Sequence, residues 1–173
     1  MSALLKVAES PLVFEYRGEL YPEYLKHGNA QQYIAPIAKQ FCRGVGLDVG
    51  SGRWPLPGAH PIDLKRGTDA MALPNGTWDY VFSSHALEHI SNYVEAIEHW
   101  KTRIRPGGVL FLYLPSPAMR YWRPENCRKH LHLFHPEDMV QLLRELGFVN
   151  VMHSERDLAW SFSVVGFVPE GVA

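Results

Sequence analysis

Three groups of residues in this chain have types and spacings that could do chemistry. The first lies in Gly44–Ala59, GVGLDVGSGRWPLPGA, where a run of β-formers drives into Gly50-Ser51-Gly52. Glycine tolerates positive φ and lets backbone approach a ligand closely. Asp48 stands two residues before Gly50, placed to meet a cationic amino group directly or through water. The second is Asp63, at the end of the next expected strand, where a carboxylate can accept two hydrogen bonds from ribose hydroxyls. The third is the histidines, nine in all. His85 and His89 are four apart, and His130, His132 and His135 follow the most hydrophobic run of the chain. A neutral imidazole titrates near neutrality and can take a proton from an attacking hydroxyl. His85 is the expected general base, with His130 or His132 behind it. His89 and His135 read as packing or capping residues, and Glu88 and Glu98 as surface or capping residues.

No metal is expected. His130-x-His132 on extended chain could present two ligands to one side, with His85 or Glu88 completing a site. No Cys or Asp lies at a spacing that strengthens it. Tyr113, Tyr121, Trp122, Arg120, Arg123 and Arg128 give the segment after the hydrophobic run an aromatic and basic character suited to a sugar or a phosphorylated group. The same residues could serve only to anchor a loop.

The elements that must position these groups alternate between strand and helix. Asn29 is a candidate cap for a helix over Ala30–Phe41, inside which Pro36 predicts a kink or break near Ala35. Short strands are expected at Val45–Val49, His60–Leu64 and Trp78–Ser83. A helix follows over Asn92–Arg103, stopped by Arg105-Pro106-Gly107-Gly108. Val109–Leu114, VLFLYL, reads as a central strand. Pro136 suits the first turn of another helix, and Gly147 its C-terminal cap. Phe148–Met152 and Ser161–Val168 close the chain as an antiparallel pair. The fold class is therefore α/β: a Rossmann-like, mostly parallel sheet with a C-terminal antiparallel hairpin. Residues 1–28 read as an aromatic, irregular N-terminal arm, and residues 29–173 as the main domain.

The totals narrow the classes of function. At 173 residues and a formal net charge of −1, no broad field recruits nucleic acid or an anionic membrane. Cys42 and Cys127 are too few for a disulfide framework. Neither a signal-peptide pattern nor a membrane-length apolar stretch is found, so a cytoplasmic protein is expected.

In their order along the chain these pieces resemble the class I S-adenosylmethionine-dependent methyltransferases. Gly46–Gly52 looks like the glycine-rich first motif. Ile62-Asp63-Leu64 looks like the acidic end of the second strand, and Thr68–Pro74 like the loop that reads adenine. Trp78–Ile90 resembles the fourth strand with its Leu-Glu-His turn, and Arg105–Leu110 the turn before the fifth. The resemblance implies S-adenosyl-L-methionine as cofactor. Gly50, Ser51 and Gly52 would lie under its methionine part, with Asp48 beside them. Asp63 would hold the ribose, and Asp69 with Ala70 would meet the adenine. Ser83, Ser84 and His85 would line the floor near the methyl group.

The departures are equally specific. Arg53–Gly58 replaces the family's third glycine and the helix after it. Asp63 and Asp69 stand too close for a helix and a third strand, so the sheet should be reduced on that side. Arg53 is a candidate for the charge that the missing helix N-terminus would supply, and Trp54 for closing over the cofactor or plugging the space. The expected activity is methyl transfer to a small molecule or a sugar, with oxygen as nucleophile. A homodimer is compatible with the sequence, while nucleic-acid and membrane partners are not expected. The competing readings are a non-catalytic binding or scaffolding module on the same fold, and an enzyme that cleaves the cofactor or moves another group from it.

Overall fold

VLFLYL alternates apolar side chains to both sides of a pleated strand, and the molecule is built around it. In the computed structural model, which describes residues 13–26 and 29–171, this run belongs to a strand of twelve residues, β6 (Ile104–Pro115). Leu110, Leu112 and Leu114 enter one hydrophobic cluster, and Val109, Phe111 and Tyr113 enter another on the opposite face. The other strands are β1 (Val13–Tyr16), β2 (Glu19–Pro22), β3 (Gly46–Val49), β4 (His60–Ile62), β5 (Trp78–Ser84), β7 (Val149–His153) and β8 (Ser161–Phe167). The main sheet runs β4-β3-β5-β6-β8-β7. β4, β3, β5 and β6 are parallel, while β8 pairs antiparallel with both β6 and β7. The expected fold class is thus the observed one. No strand lies beyond β4 among the described residues, so β4 is an edge, as the short Asp63–Asp69 interval required.

Helices α2 (Tyr93–Lys101) and α3 (Pro136–Glu145) cover one face, burying Ile97, Trp100, Met139 and Leu143 against Leu47, Val81, Leu110 and Val164. The other face is covered by α1 (Gln31–Phe41) and by a separate hairpin, β1–β2. Tyr21 of the hairpin is fully buried there, with its ring 5.0 Å from that of Trp160. Where it is described, the N-terminal arm is therefore a regular hairpin, its two-residue turn formed by Arg17 and Gly18 at positive φ. The expectation of an irregular arm covers residues 1–12, 27 and 28 as well, and these lie outside the described residues.

Three local expectations are corrected. Helix α1 runs without interruption through Pro36. Pro36 lies on the exposed side, where water can serve the Gln32 carbonyl that loses its N–H partner. Asn29 does not cap α1: its amide donates to Gln32 Oε1 at 3.3 Å, and Ala30 occupies the cap position in helical conformation. Arg105–Gly108 does not lie outside β6 but forms its first part, with an irregularity in the pairing to β5 between Trp78 and Tyr80. Among the described residues no helix is long and apolar enough to cross a membrane.

Candidate functional site

The parallel strands point their carboxyl ends to one rim, where ligands of open α/β sheets bind. Leu47 and Val49 face the α2–α3 side, so the period of two turns Asp48 to the other face, beneath the post-β3 loop. Asp48 is 1% exposed, and its Oδ2 accepts from the Leu56 N–H at 2.6 Å. Burial pushes its carboxyl up to about 7, against the pull of that N–H, and the neighbouring Asp63 charge adds to the rise. Asp48 thus fixes the loop from below and is not turned toward the rim. Leu56, 1% exposed, fills the place of the missing helix. Trp54 does not plug that space, being 38% exposed. Arg53 is exposed as well. The guanidinium on this loop is that of Arg66, whose Nη2 donates to the Gly52 carbonyl at 3.3 Å.

Asp63 joins the ends of β3 and β4. Its Oδ2 accepts from the Gly52 N–H and its Oδ1 from the Lys65 N–H, each at 2.9 Å. A carboxylate oxygen can accept two hydrogen bonds, so both oxygens keep acceptor capacity. Thr68 Oγ1 accepts from the Asp63 N–H at 2.8 Å and holds the residue in place. Asp69 is exposed, its Oδ1 accepting from the Met71 N–H in a tight turn. That segment is tied to α2 twice: Trp100 Nε1 donates to the Ala70 carbonyl at 2.7 Å, and the Leu73 N–H donates to His99 Nε2 at 3.0 Å.

The first motif also meets the turn after β5. Gly50 has φ +78°, and a Cβ there would lie 2.1 Å from that of Ala86. Gly52, at φ +53°, faces open space. The hydroxyls of Ser51, Ser83 and Ser84 are buried and have no hydrogen-bond partner among the described residues. Open space beside Gly52, spare acceptors on Asp63 and three unpaired hydroxyls fit a polar ligand such as an adenosyl cofactor.

A second cluster lies beyond β5. His85 has φ +49°, unusual for a residue with a side chain and a frequent mark of functional sites. Its Nε2 lies 2.8 Å from Ser161 Oγ, and Ser161 is in turn held through its N–H by Asp157, which also accepts from Tyr113 OH at 2.6 Å. Burial holds the His85 pKa down to about 3, with His130 and His89 adding to the shift, so the ring is neutral at pH 7 and a weak proton acceptor. Glu88, expected as a surface or capping residue, is fully buried. Burial pushes its carboxyl up to about 8. It sits on a single 3-10 turn, Leu87–His89, too short for any hydrophobic period to announce which side chain turns inward. His130 also belongs to the cluster: it is 2% exposed, stacks on Trp122 at 4.5 Å, and burial lowers its pKa to about 3.

His132 does not join them. Its Nε2 is 2.9 Å from the Ile90 carbonyl, and its ring packs on Tyr93 and Phe134. The aromatic and basic loop is largely spent on anchoring. Tyr121 packs edge-on against Phe14 and Tyr16, Arg120 pairs with Glu19 at 3.7 Å, and Arg123 donates to the Pro117 carbonyl. Sequence reading missed Arg66, Asp157 and Ser161, and weighed Glu88 only as a surface or capping residue or as a ligand completing a His130-x-His132 site. For Glu88 alone a signal existed, since His85, Glu88 and His89 are three and four apart.

Comparisons with known proteins agree with this layout. A family profile described as "Methyltransferase domain" matches residues 25–153. The chain is 21% identical over 131 residues to the "Ubiquinone biosynthesis O-methyltransferase" of Paramagnetospirillum magneticum, covering 65% of this chain and 53% of that protein. It thus spans about half the length of that curated relative. Among solved structures, a SAM-dependent methyltransferase from Archaeoglobus fulgidus superposes with a TM-score of 0.65 at 16% identity, covering 83% of this chain and 97% of that one. A Thermotoga maritima protein, described as "SAM-dependent methyltransferase, possible histamine N-methyltransferase", gives 0.63 at 17% identity, covering 83% and 92%. With three quarters of its length matched by that profile, the chain belongs to the methyltransferase-domain family, of the class I S-adenosylmethionine-dependent kind.

Proposed function

We propose that this protein transfers a methyl group from S-adenosyl-L-methionine to an oxygen of a small molecule or a sugar. The observation that carries the reading is the carboxylate of Asp63, held between the ends of β3 and β4 beside the open face of Gly52. S-adenosylmethionine, when bound, supplies a methyl on a positively charged sulfur that is already a good leaving group. The chain's own task is then to bind, align and exclude water. Asp63 accepts from ribose hydroxyls, the Asp69–Ala70 turn borders the base, and Ser51, Ser83 and Ser84 offer hydroxyls along the floor. His85, at the end of β5, receives a hydrogen bond from the acceptor hydroxyl and orients it, with His130 behind. This is a milder role than general base, and it suits a ring already engaged with Ser161. His132 steadies the turn after β5 through Ile90. An oxygen nucleophile is supported by the O-methyltransferase relative. The two free cysteines suit a reducing cytosol.

The experiment is calorimetric titration of S-adenosylhomocysteine into the full chain and into Asp63→Asn. Micromolar binding that weakens at least about tenfold, or 1.4 kcal/mol, in the variant is expected. No binding at millimolar ligand would replace the proposal with the scaffolding reading. Turnover against phenols and nucleotide sugars, lost in His85→Ala with cofactor binding intact, tests the orienting role.

A further inference from the structure

Glu88 presents an unsolved problem of solvation. It is fully buried, and its carboxylate oxygens find no well-formed hydrogen bond among the described residues beyond a contact with the residue's own backbone N–H. Burying such a group without a partner costs several kcal/mol in general. Three imidazoles stand around it. His130 Nε2 is 4.0 Å and His85 Nδ1 3.7 Å from Glu88 Oε1, both too long for hydrogen bonds. Both ring nitrogens of His130 are likewise without a hydrogen bond of ordinary length among the described residues. His89 completes the group: one ligand atom each from Glu88, His89 and His130 fall within 4.8 Å of one another.

We propose that Glu88, His89 and His130 form a binding site for a divalent transition-metal ion of the zinc type. Two imidazoles and one carboxylate are a donor set that zinc takes with a fourth position open. Metal–ligand bonds near 2.1 Å place tetrahedral ligands about 3.4 Å apart, so separations within 4.8 Å must contract by about 1.4 Å at most. The residue with most freedom to close that distance is His89, the exposed member. Its Nδ1 lies 2.7 Å from the Lys129 carbonyl. A ring that donates there from Nδ1 leaves Nε2 as the ligand, the outer-shell arrangement usual for metal-bound histidine. Two backbone bonds fix the frame: Leu131 N–H to the Glu88 carbonyl at 2.8 Å, and His130 N–H to the Cys127 carbonyl at 3.0 Å. The stacked Trp122 ring backs His130. The site joins the turn after β5 to the segment after β6. It differs from a His130-x-His132 pair because His132 turns away to Ile90. Metal binding at these three residues is independent of methyl transfer.

The test uses the full chain, free of any histidine tag, stripped with a chelator and titrated with Co²⁺ and Zn²⁺. Expected are one ion per chain, visible d–d bands of four-coordinate Co²⁺ that Zn²⁺ bleaches, and a rise in melting temperature with Zn²⁺. Loss of even an outer-shell partner costs about 10–100-fold in metal affinity, so His89→Ala and Glu88→Gln should each weaken Zn²⁺ by at least about tenfold. His135→Ala should leave it unchanged. His89 is exposed, so its variant keeps the test valid even where Glu88→Gln fails to fold. No stoichiometric ion at millimolar Zn²⁺, or an affinity indifferent to His89→Ala, overturns the proposal. Metal binding without cofactor binding would sink the methyltransferase reading alone, and cofactor binding without metal would sink this one alone.

Discussion

Asp48→Asn measures what the loop that replaces a helix demands of the core. With a folded pKa of about 7 against 3.8 unfolded, the folded state holds a proton that the unfolded chain gives up between those values. The sign follows: stability from this group is greatest at low pH, falls as pH rises from about 4 to about 7, and is flat beyond. The full span of about three pH units corresponds to about 4 kcal/mol, and the portion lost between pH 5 and pH 8 to about 2.5 kcal/mol. The side-chain amide of the variant cannot titrate, but its carbonyl can still accept from the Leu56 N–H. The buried amide carries its own cost of about 1–3 kcal/mol, which shifts the variant's curve without tilting it. The assay is urea unfolding of both proteins at several pH values, with stabilities from linear extrapolation and equal m-values as control. Wild type minus variant cancels the separate titrations of His85, His130, Glu88 and Asp157, leaving Asp48 with the two neighbours that its charge raises, Cys42 and Tyr80. A difference that falls by about 2.5 kcal/mol from pH 5 to 8 is expected. Parallel curves would refute the reasoning, since they would mean that Asp48 is ionised when folded and that Leu56 N–H alone compensates its burial.

The two first-motif glycines should part company. Gly50→Ala, with its Cβ 2.1 Å from that of Ala86, should lose more than about 2 kcal/mol in thermal or urea unfolding. Gly52→Ala meets open space and should cost only the left-handed penalty of about 1–2 kcal/mol, while weakening S-adenosylhomocysteine in calorimetry by a larger factor. Trp100→Phe removes the donor to Ala70, and leaving that carbonyl unpaired should cost about 1–3 kcal/mol in urea unfolding. Amide exchange should quicken at residues 69–73.

How much of this was legible follows from how each feature is encoded. Strands buried on both faces, such as Val109–Leu114, declare themselves by composition, and the longer helices by their period, while the short β3 and β4 (Gly46–Val49 and His60–Ile62) are marked by the glycines and the aspartate at their ends. Glycines at strand ends were legible for the same reason as Asp63: they fall where a known geometry needs them. The inward turn of Asp48 was also encoded, since Leu47 and Val49 must share a face and Asp48 must take the other, but a motif reading looks past that alternation. The spacing of Glu88 from His85 and His89 was legible, but its burial was not, because a one-turn 3-10 segment has no period and that burial depends on residues 122 and 130, supplied by the segment after β6. The same holds for Asp157 and Ser161, which reach His85 only through the antiparallel return of β8.

The reduced sheet shows which parts of such a scaffold a rim site needs. Losing a helix after β3 removes both a cover for the sheet face and a set of N–H groups at the strand end. For the first, Leu56 is buried in the same cluster as Tyr21 of the hairpin and Ile34 and Ala38 of α1, on that face of the sheet. The second is not restored: the Gly50 and Ser51 N–H groups donate to the Ile62 carbonyl, the Gly52 N–H donates to Asp63, and the Gly52 carbonyl accepts from Arg66, on the neighbouring strand's turn. The loop is therefore held by β4's acidic end and by Asp48 below it, where a helix would have held itself. Such a rim depends on two carboxylates in different surroundings. Asp63 serves through its acceptors at the rim, while Asp48 is most favourable protonated beneath it. A change that equalised the two environments, by wetting Asp48 or burying Asp63, would loosen the loop and the ligand site together.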